Sequence, residues 1–122
     1  MRPVIYNDVL AAVSFAASIP PDGRKAAIAR IIADAEAAAR YRMRSGAAHP
    51  VFGDGCLMAA ALRHGRRGST SFACPDALDA WLCVLGALRA RLDQPEAQEM
   101  QRVTAGSSAS RAGVISSPQS SQ

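Results

Sequence analysis

The segment 20–46 constrains the fold more than any other part of the chain. A proline pair begins it, which suits the first turn of a helix, and Asp22 follows where the positive end of the helix dipole favours an acid. Arginines fill the last turn, and Gly46 supplies a stop. Its apolar residues recur at helical spacing: Ile28, Ile31, Ile32, Ala35 and Ala39. The segment therefore predicts one long amphipathic helix.

Three further helices are predicted around it. The first has its N-cap at Asn7 or Asp8 and ends near Ser18, because Ile19 precedes a proline. A short third helix follows Asp54, which we expect to cap it. A fourth begins at Cys74-Pro75, and its stripe is the strongest apolar face of the chain: Leu78, Trp81, Leu82, Leu85, Leu88 and Leu92. We expect this stripe to form the domain's own core, with homo-oligomerisation as the alternative, since four helices in so small a domain need not cover one another fully.

The composition favours an all-α fold. Hydrophobic residues make up 49% of the chain, but much of this is alanine, and aromatic residues make up only 5%. Alanine has the highest helix propensity and lets helices approach closely, whereas a sheet would need more aromatic and β-branched residues. We predict a small bundle of about four helices over residues 1–94. Residues 95–122 are rich in Ser and Gln and predict a disordered C-terminal tail.

The potential metal ligands and nucleophiles form no recognisable motif. The three cysteines are an odd number, and their separations from one another and from the two histidines match no compact zinc site. They predict reduced thiols and a cytoplasmic location. No stretch approaches the roughly 18 apolar residues of a membrane span. We therefore expect no enzyme, no cofactor, no metal and no membrane partner.

Positive charge is concentrated in residues 40–67, which contain six arginines and one acid, while the whole chain has a net charge of +4. If the intervening loop folds back, one face would offer several phosphate contacts and one aromatic ring for stacking. The predicted anion- or nucleic-acid-binding residues are Arg40, Tyr41, Arg44, Arg63, Arg66 and Arg67. The alternative is that these arginines only complement the C-terminal ends of two helices.

The loop 49–55 is the most distinctive local feature. A proline, two glycines and an aromatic residue specify a tight conformation, and such loops often carry function. The candidate residues are His49, Phe52 and Asp54. The alternative is a structural connection in which Phe52 fills the core and Asp54 caps the third helix.

Three parts of the chain carry a resemblance: the opening residues 1–9, the Pro20-Pro21 pair, and the block 38–60. That block reads Tyr41-x-x-Arg44-x-Gly46-x-x-His49-Pro50-x-x-Gly53-x-Gly55-x-Leu57-Met58-Ala59-Ala60. Together they resemble a family of short, uncharacterised alphaproteobacterial proteins, a domain of unknown function. The resemblance covers roughly residues 1–94. It implies a helical domain and assigns no chemistry.

We therefore expect a non-catalytic helical binding protein that engages an acidic partner, with nucleic acid as the favoured ligand. An accessory subunit of a DNA-handling or phage-type packaging machine is one concrete form of this expectation. The alternative is a protein–protein adaptor or regulator acting through the fourth helix or the Phe52 loop. Homo-oligomers are compatible with either.

Overall fold

Four α-helices make up most of residues 1–93, the part of the chain that the computed structural model describes. They are α1 (Tyr6–Ala17), α2 (Arg24–Ser45), α3 (Leu57–Leu62) and α4 (Pro75–Arg91), and a 3-10 turn (Pro21–Gly23) precedes α2. The predicted all-α fold is confirmed, whereas the predicted tail lies outside the described residues. No helix within residues 1–93 is long and apolar enough to cross a membrane.

The core lies where α1 and α2 pack against α3 and α4. The predicted apolar stripe of α2 is confirmed, because all five of its residues are buried. Small side chains at helix contacts let the helix backbones approach closely. Four such alanines are fully buried: Ala12, Ala16, Ala60 and Ala80. Close helix contacts therefore replace the large side chains that the composition lacks.

The helix α4 turns inward a different face from the predicted one. Ala77, Ala80 and Val84 are buried, whereas Leu82 is 70% exposed. Trp81 is half-buried, and its indole Nε1–H donates to the Thr70 carbonyl oxygen at 3.0 Å. Leu88 is also half-buried, and the other leucines of the predicted stripe are exposed: Leu78, Leu85 and Leu92. Trp81 and Leu88 pack partly against the core, whereas the expectation that this stripe forms the core was wrong for the four exposed leucines, because α4 packs mainly through its small residues.

A buried carboxylate connects the N-terminal ends of α1 and α3. Ile5, rather than the predicted Asn7 or Asp8, is the N-cap of α1. Asp8 lies in the first turn, where its Oδ2 accepts a hydrogen bond from the Ile5 N–H at 3.0 Å. Its Oδ1 accepts from the Met58 N–H at 3.0 Å. Asp8 therefore satisfies two backbone donors that helix geometry leaves without partners.

A buried arginine joins three helices. The Arg24 side chain is 1% exposed, and its guanidinium lies 2.7 Å from a carboxylate oxygen of Asp76 and 2.7 Å from one of Asp79. Its Nε–H donates to the Ala16 carbonyl oxygen at 2.9 Å. The hydrogen bond to Asp76 is the largest cause of an Arg24 pKa above its usual value. Arg24 thereby fixes the start of α2 against the end of α1 and the first turn of α4.

Candidate anion-binding site

The C-terminal turn of α2 presents three arginines to solvent. Arg40, Arg42 and Arg44 are exposed, and Tyr41 between them is half-buried. The helix ends because Gly46 adopts a left-handed conformation with φ of 78° and donates its N–H to the Arg42 carbonyl oxygen at 2.8 Å. The predicted stop at Gly46 is confirmed. Arg42 was missing from the predicted site, although its exposure matches that of its neighbours.

The loop after α2 folds into a tight turn around His49. His49 and Gly53 exchange two backbone hydrogen bonds, with N···O distances of 2.7 and 3.2 Å. The His49 Nδ1 accepts from the backbone N–H groups of Val51 and Phe52 at 3.0 and 3.1 Å. Nδ1 is therefore the acceptor nitrogen of the ring in this turn. The geometry of the loop therefore depends on the imidazole.

Gly55 lets this loop lie directly on α2. Its φ is 97°, and a Cβ at this position would lie 2.9 Å from the Ala39 Cα. Only glycine combines that backbone conformation with so close an approach. The resulting contact brings Phe52 of the loop back towards the C-terminal half of α2.

Four side chains from α2, the loop and the end of α3 form a continuous stack, which we call the aromatic stack: Tyr41, His49, Phe52 and Arg63. The Tyr41 and His49 rings meet edge to face with centroids 4.9 Å apart. His49 and Phe52 are nearly parallel, with centroids 4.7 Å apart. The Arg63 guanidinium carbon lies 5.3 Å from the Phe52 centroid, within the range of a cation–π contact. The stack thus joins the predicted arginine cluster to the predicted loop residues.

Asp54 interacts with Arg2 and Cys56 rather than with the aromatic stack. Its Oδ2 lies 2.9 Å from the Arg2 guanidinium, and its Oδ1 accepts from the Cys56 N–H at 3.1 Å. Hydrogen bonds from the thiol and N–H of Cys56, followed by the charge of Arg2, hold the pKa of Asp54 below its usual value. Cys56 is the N-cap of α3, so the expectation that Asp54 caps this helix was wrong.

Arg66 and Arg67 lie in a different setting. Both line a groove of about 430 Å³ between α1 and α3, whose apolar floor includes Leu10 and Met58. An Arg66 Nη2–H makes one long contact, 3.5 Å, with the Ser18 carbonyl oxygen. Within residues 1–93, no hydrogen bond, ion pair or cation–π contact joins either side chain to the aromatic stack. The six predicted binding residues therefore fall into two groups rather than one.

The arginines also divide according to their ion pairs. Four are paired with carboxylates at 2.6–2.9 Å: Arg2, Arg24, Arg89 and Arg91. Within residues 1–93, no carboxylate lies within ion-pair distance of six others: Arg30, Arg42, Arg44, Arg63, Arg66 and Arg67. Residues 40–67 hold six arginines and one acid, whereas the remainder of residues 1–93 holds six basic and seven acidic side chains. The excess positive charge therefore resides in this region.

The cysteines form no disulfide and no metal-binding group in the described residues. The Cys56 Sγ accepts from the Ala59 N–H at 3.4 Å, and burial raises the pKa of its thiol. Cys74 lies at the N-cap of α4, and Cys83 packs partly against the core. No three His, Cys, Asp or Glu side chains of residues 1–93 are grouped so that they could hold a metal ion. The site chemistry consists of guanidinium charge and aromatic surface.

The fold and this site define a small all-helical domain with an arginine-rich surface. The chain belongs to the family described as Domain of unknown function (DUF7742), whose model matches residues 2–88. Neither a curated protein nor a solved structure matches it.

Proposed function

We propose that this protein is a non-catalytic nucleic-acid-binding protein and that it contacts phosphate groups through Arg42, Arg44 and Arg63. The observation that supports the proposal is that these three side chains have no carboxylate partner within residues 1–93 and lie in the region that holds the excess positive charge, whereas Arg30, which also has none, lies outside that region. A guanidinium without an ion pair can bind phosphate without first losing a protein partner. Arg40 is exposed in the same turn and belongs to the proposed surface.

The position of these arginines favours a polyanion over a single bound ion. Arg42 and Arg44 lie in the last turn of α2, where the helix dipole is negative and no free backbone N–H groups are available. An isolated anion held against the helix end would be repelled. Long side chains that reach outward instead suit phosphates spaced along a strand, which fix position without reading sequence. Tyr41 and Phe52 add aromatic surface for stacking against unpaired bases.

We extend the proposal to its biological setting. The excess of arginine over lysine, together with abundant alanine, is typical of GC-rich bacterial genomes and supports an alphaproteobacterial origin. Three free cysteines support a reducing, cytoplasmic location. An accessory subunit of a DNA-handling or phage-type packaging machine would use sequence-independent phosphate contacts of this kind.

The test compares two triple variants with the same net charge. Arg42→Gln, Arg44→Gln and Arg63→Gln remove the proposed contacts. The matched control replaces three exposed cations elsewhere with glutamine: Lys25, Arg30 and Arg89. Fluorescence anisotropy at low salt with labelled duplex DNA and single-stranded RNA should show a roughly tenfold or greater loss of affinity for the first variant and a change of about threefold or less for the control.

Two results would overturn the proposal. The wild-type chain could show no binding to either nucleic acid at low salt. The two triple variants could also lose affinity equally, in which case net charge rather than the assigned surface governs binding.

A second candidate function is protein binding through α4, because Leu78, Leu82 and Leu85 are exposed at 41%, 70% and 49%. Salt distinguishes the two candidates. Phosphate binding weakens steeply as salt rises, whereas apolar docking changes little.

A further inference from the structure

The exposed side of α4 has the spacing of a helix–helix interface. We call it the leucine face, and it consists of Leu78, Leu82, Leu85, Gly86, Arg89 and Leu92. Its leucines and Arg89 are separated alternately by four and three residues along the whole helix. This alternation keeps side chains on one side of a helix and is typical of a seam that packs against a second helix.

Gly86 is exposed in the interior of α4 at this face, and nothing in the described residues requires a glycine there. Apart from its chain neighbours and the backbone of its own helix, no atom of residues 1–93 lies within 4 Å of the position that a Cβ would occupy. Glycine is less favourable than alanine inside a helix. A helix of another molecule could use the open space, since small residues allow close approach of two backbones.

Two further apolar features lie near the face. Phe72, 66% exposed, precedes α4 and packs on the Trp81 ring with centroids 5.2 Å apart. Near the C-terminal end of α4, Leu92 lines a groove of about 260 Å³ together with Pro3 and Val4. Exposed apolar side chains grouped in this way mark interaction sites, whereas scattered single ones are usual on a monomer surface.

The charges along α4 favour a second copy that runs in the opposite direction. Asp76 and Asp79 are in its first two turns, and their half-exposed carboxylates share the single charge of Arg24. Arg89 lies in the leucine face near the C-terminal end of α4. It forms an ion pair with Asp93 in which both side chains are more than 70% exposed. Such a pair is weak and can be rearranged at little cost. A turn of about 100° per residue places Asp79 at the edge of the leucine face and Asp76 on the other side of α4. An antiparallel partner would therefore place Arg89 near Asp79, whereas a parallel partner would place Arg89 against itself.

We propose that the leucine face is the interface of a homodimer in which α4 packs antiparallel against α4 of a second copy. Leu82 of each chain contacts Leu85 of the other, and Arg89 lies across from Leu78 near Asp79. The arrangement closes by a two-fold axis, so both copies use the same surface. An interface limited to one helix face should bury less than the roughly 800 Å² per partner of a standard interface. The dissociation constant should therefore be on the order of micromolar.

Sedimentation equilibrium of the full chain, from low micromolar to several hundred micromolar, tests the proposal. The wild-type chain should change from monomer to dimer over this range. Leu82→Gln with Leu85→Gln should remain monomeric with an unchanged circular-dichroism spectrum. Met43→Gln with Leu62→Gln is a matched control, because Met43 and Leu62 are 70% and 48% exposed outside the face. The control should dimerise like the wild type.

Two single variants examine the details. Gly86→Ala should raise the melting temperature of the monomer, because alanine has a higher helix propensity than glycine. The same change should weaken dimerisation several-fold, because the added methyl group occupies space that the partner helix would use. Arg89→Gln should weaken an antiparallel dimer, since it removes the attraction to Asp79. If Arg89→Gln strengthens the dimer, the antiparallel orientation is wrong.

Three outcomes overturn the homodimer itself. The wild-type chain could remain monomeric at every concentration, which would assign the leucine face to a different protein or to residues 94–122. The dimer could persist in the Leu82 and Leu85 double variant. Unfolding of that variant, together with an undiminished dimer in Gly86→Ala, would likewise reject the leucine face as the interface.

Discussion

Arg24 and Arg42 lie at opposite ends of α2 and share only their charge. Arg24 is buried, hydrogen-bonded to a carbonyl and paired with two carboxylates, whereas Arg42 is exposed with no carboxylate nearby in residues 1–93. The positions of the acids explain this difference. Asp76 and Asp79 lie at the start of α4, whereas the sequence around the end of α2 has no acid between Glu36 and Asp54. The placement of carboxylates thus decides which arginines stabilise the fold and which remain available to a ligand.

The largest expected effect is at Arg24. Arg24→Ala should lower the free energy of unfolding by about 3 kcal/mol, the lower end of the range for a broken buried ion pair, because its two partners can regain water. Urea denaturation followed by circular dichroism measures the change. Arg89→Ala is the control, and its loss should be under about 0.5 kcal/mol because the pair is exposed. A loss under about 1 kcal/mol for Arg24→Ala would contradict its structural role.

A smaller effect is expected at Arg91, which is buried in α4. Its side chain is 6% exposed, and its Nε lies 2.6 Å from a Glu36 carboxylate oxygen on α2. Arg91→Ala should lower the free energy of unfolding by about 2 kcal/mol, since a hydrogen-bonded charge pair and the packing of the side-chain stem are lost together. The double variant with Glu36→Ala measures the pair itself, because the two single losses should not add. Additive losses would show that the pair contributes nothing.

Asp54 should show a pH-dependent contribution to stability, through its hydrogen bonds with Cys56 and then its ion pair with Arg2. The pKa of Asp54 is lowered on folding, so this carboxylate contributes stability above its ordinary value of 3.8 and loses that contribution as the pH falls through the folded value. Asp54→Asn should cost less than about 1 kcal/mol near neutral pH, because both side chains are substantially exposed. The difference from wild type should shrink below pH 3.8 in acid titrations of unfolding. A constant difference down to acid pH would refute the linkage.

The smallest effect on stability is expected for the arginines without ion pairs. Arg42→Gln, Arg44→Gln and Arg63→Gln together should change the free energy of unfolding by about 0.5 kcal/mol, because only screened dipole and cation–π contacts are lost. The same urea experiment measures it. Loss of the folded state in this triple variant would show that these arginines serve mainly to complement helix ends, as the structural alternative holds.

The sequence was sufficient for α2 but not for α4. Both helices have clear starts, yet only α2 has its bulky apolar residues on the buried side. Leucine is more hydrophobic than alanine, so the hydrophobic pattern of α4 predicted that its leucines are buried. The close approach of the helices instead buries the smaller residues Ala77, Ala80 and Val84. A hydrophobicity scale ranks single residues, whereas the packing of one helix against another determines which face of a helix is buried.

The sequence predicted the arginine cluster and the loop residues as separate candidates, but not the contacts that join them. The aromatic stack depends on the loop conformation that Gly53 and Gly55 permit, and charge counting contains no information about it. The same limit applies to Arg24, whose partner Asp79 is 55 residues away along the chain. Nothing local distinguishes that arginine from Arg42 before the helices are assembled.

The salt dependence of duplex-DNA binding tests the central claim most directly. Counterion release predicts that the slope of log K against log salt falls by about 0.9 for each lost phosphate contact. Removing Arg42, Arg44 and Arg63 should therefore reduce the slope by nearly 3, roughly one contact for each side chain, while the Lys25, Arg30 and Arg89 control keeps the wild-type slope. A slope that is the same in both variants would contradict the assignment of these arginines as phosphate contacts.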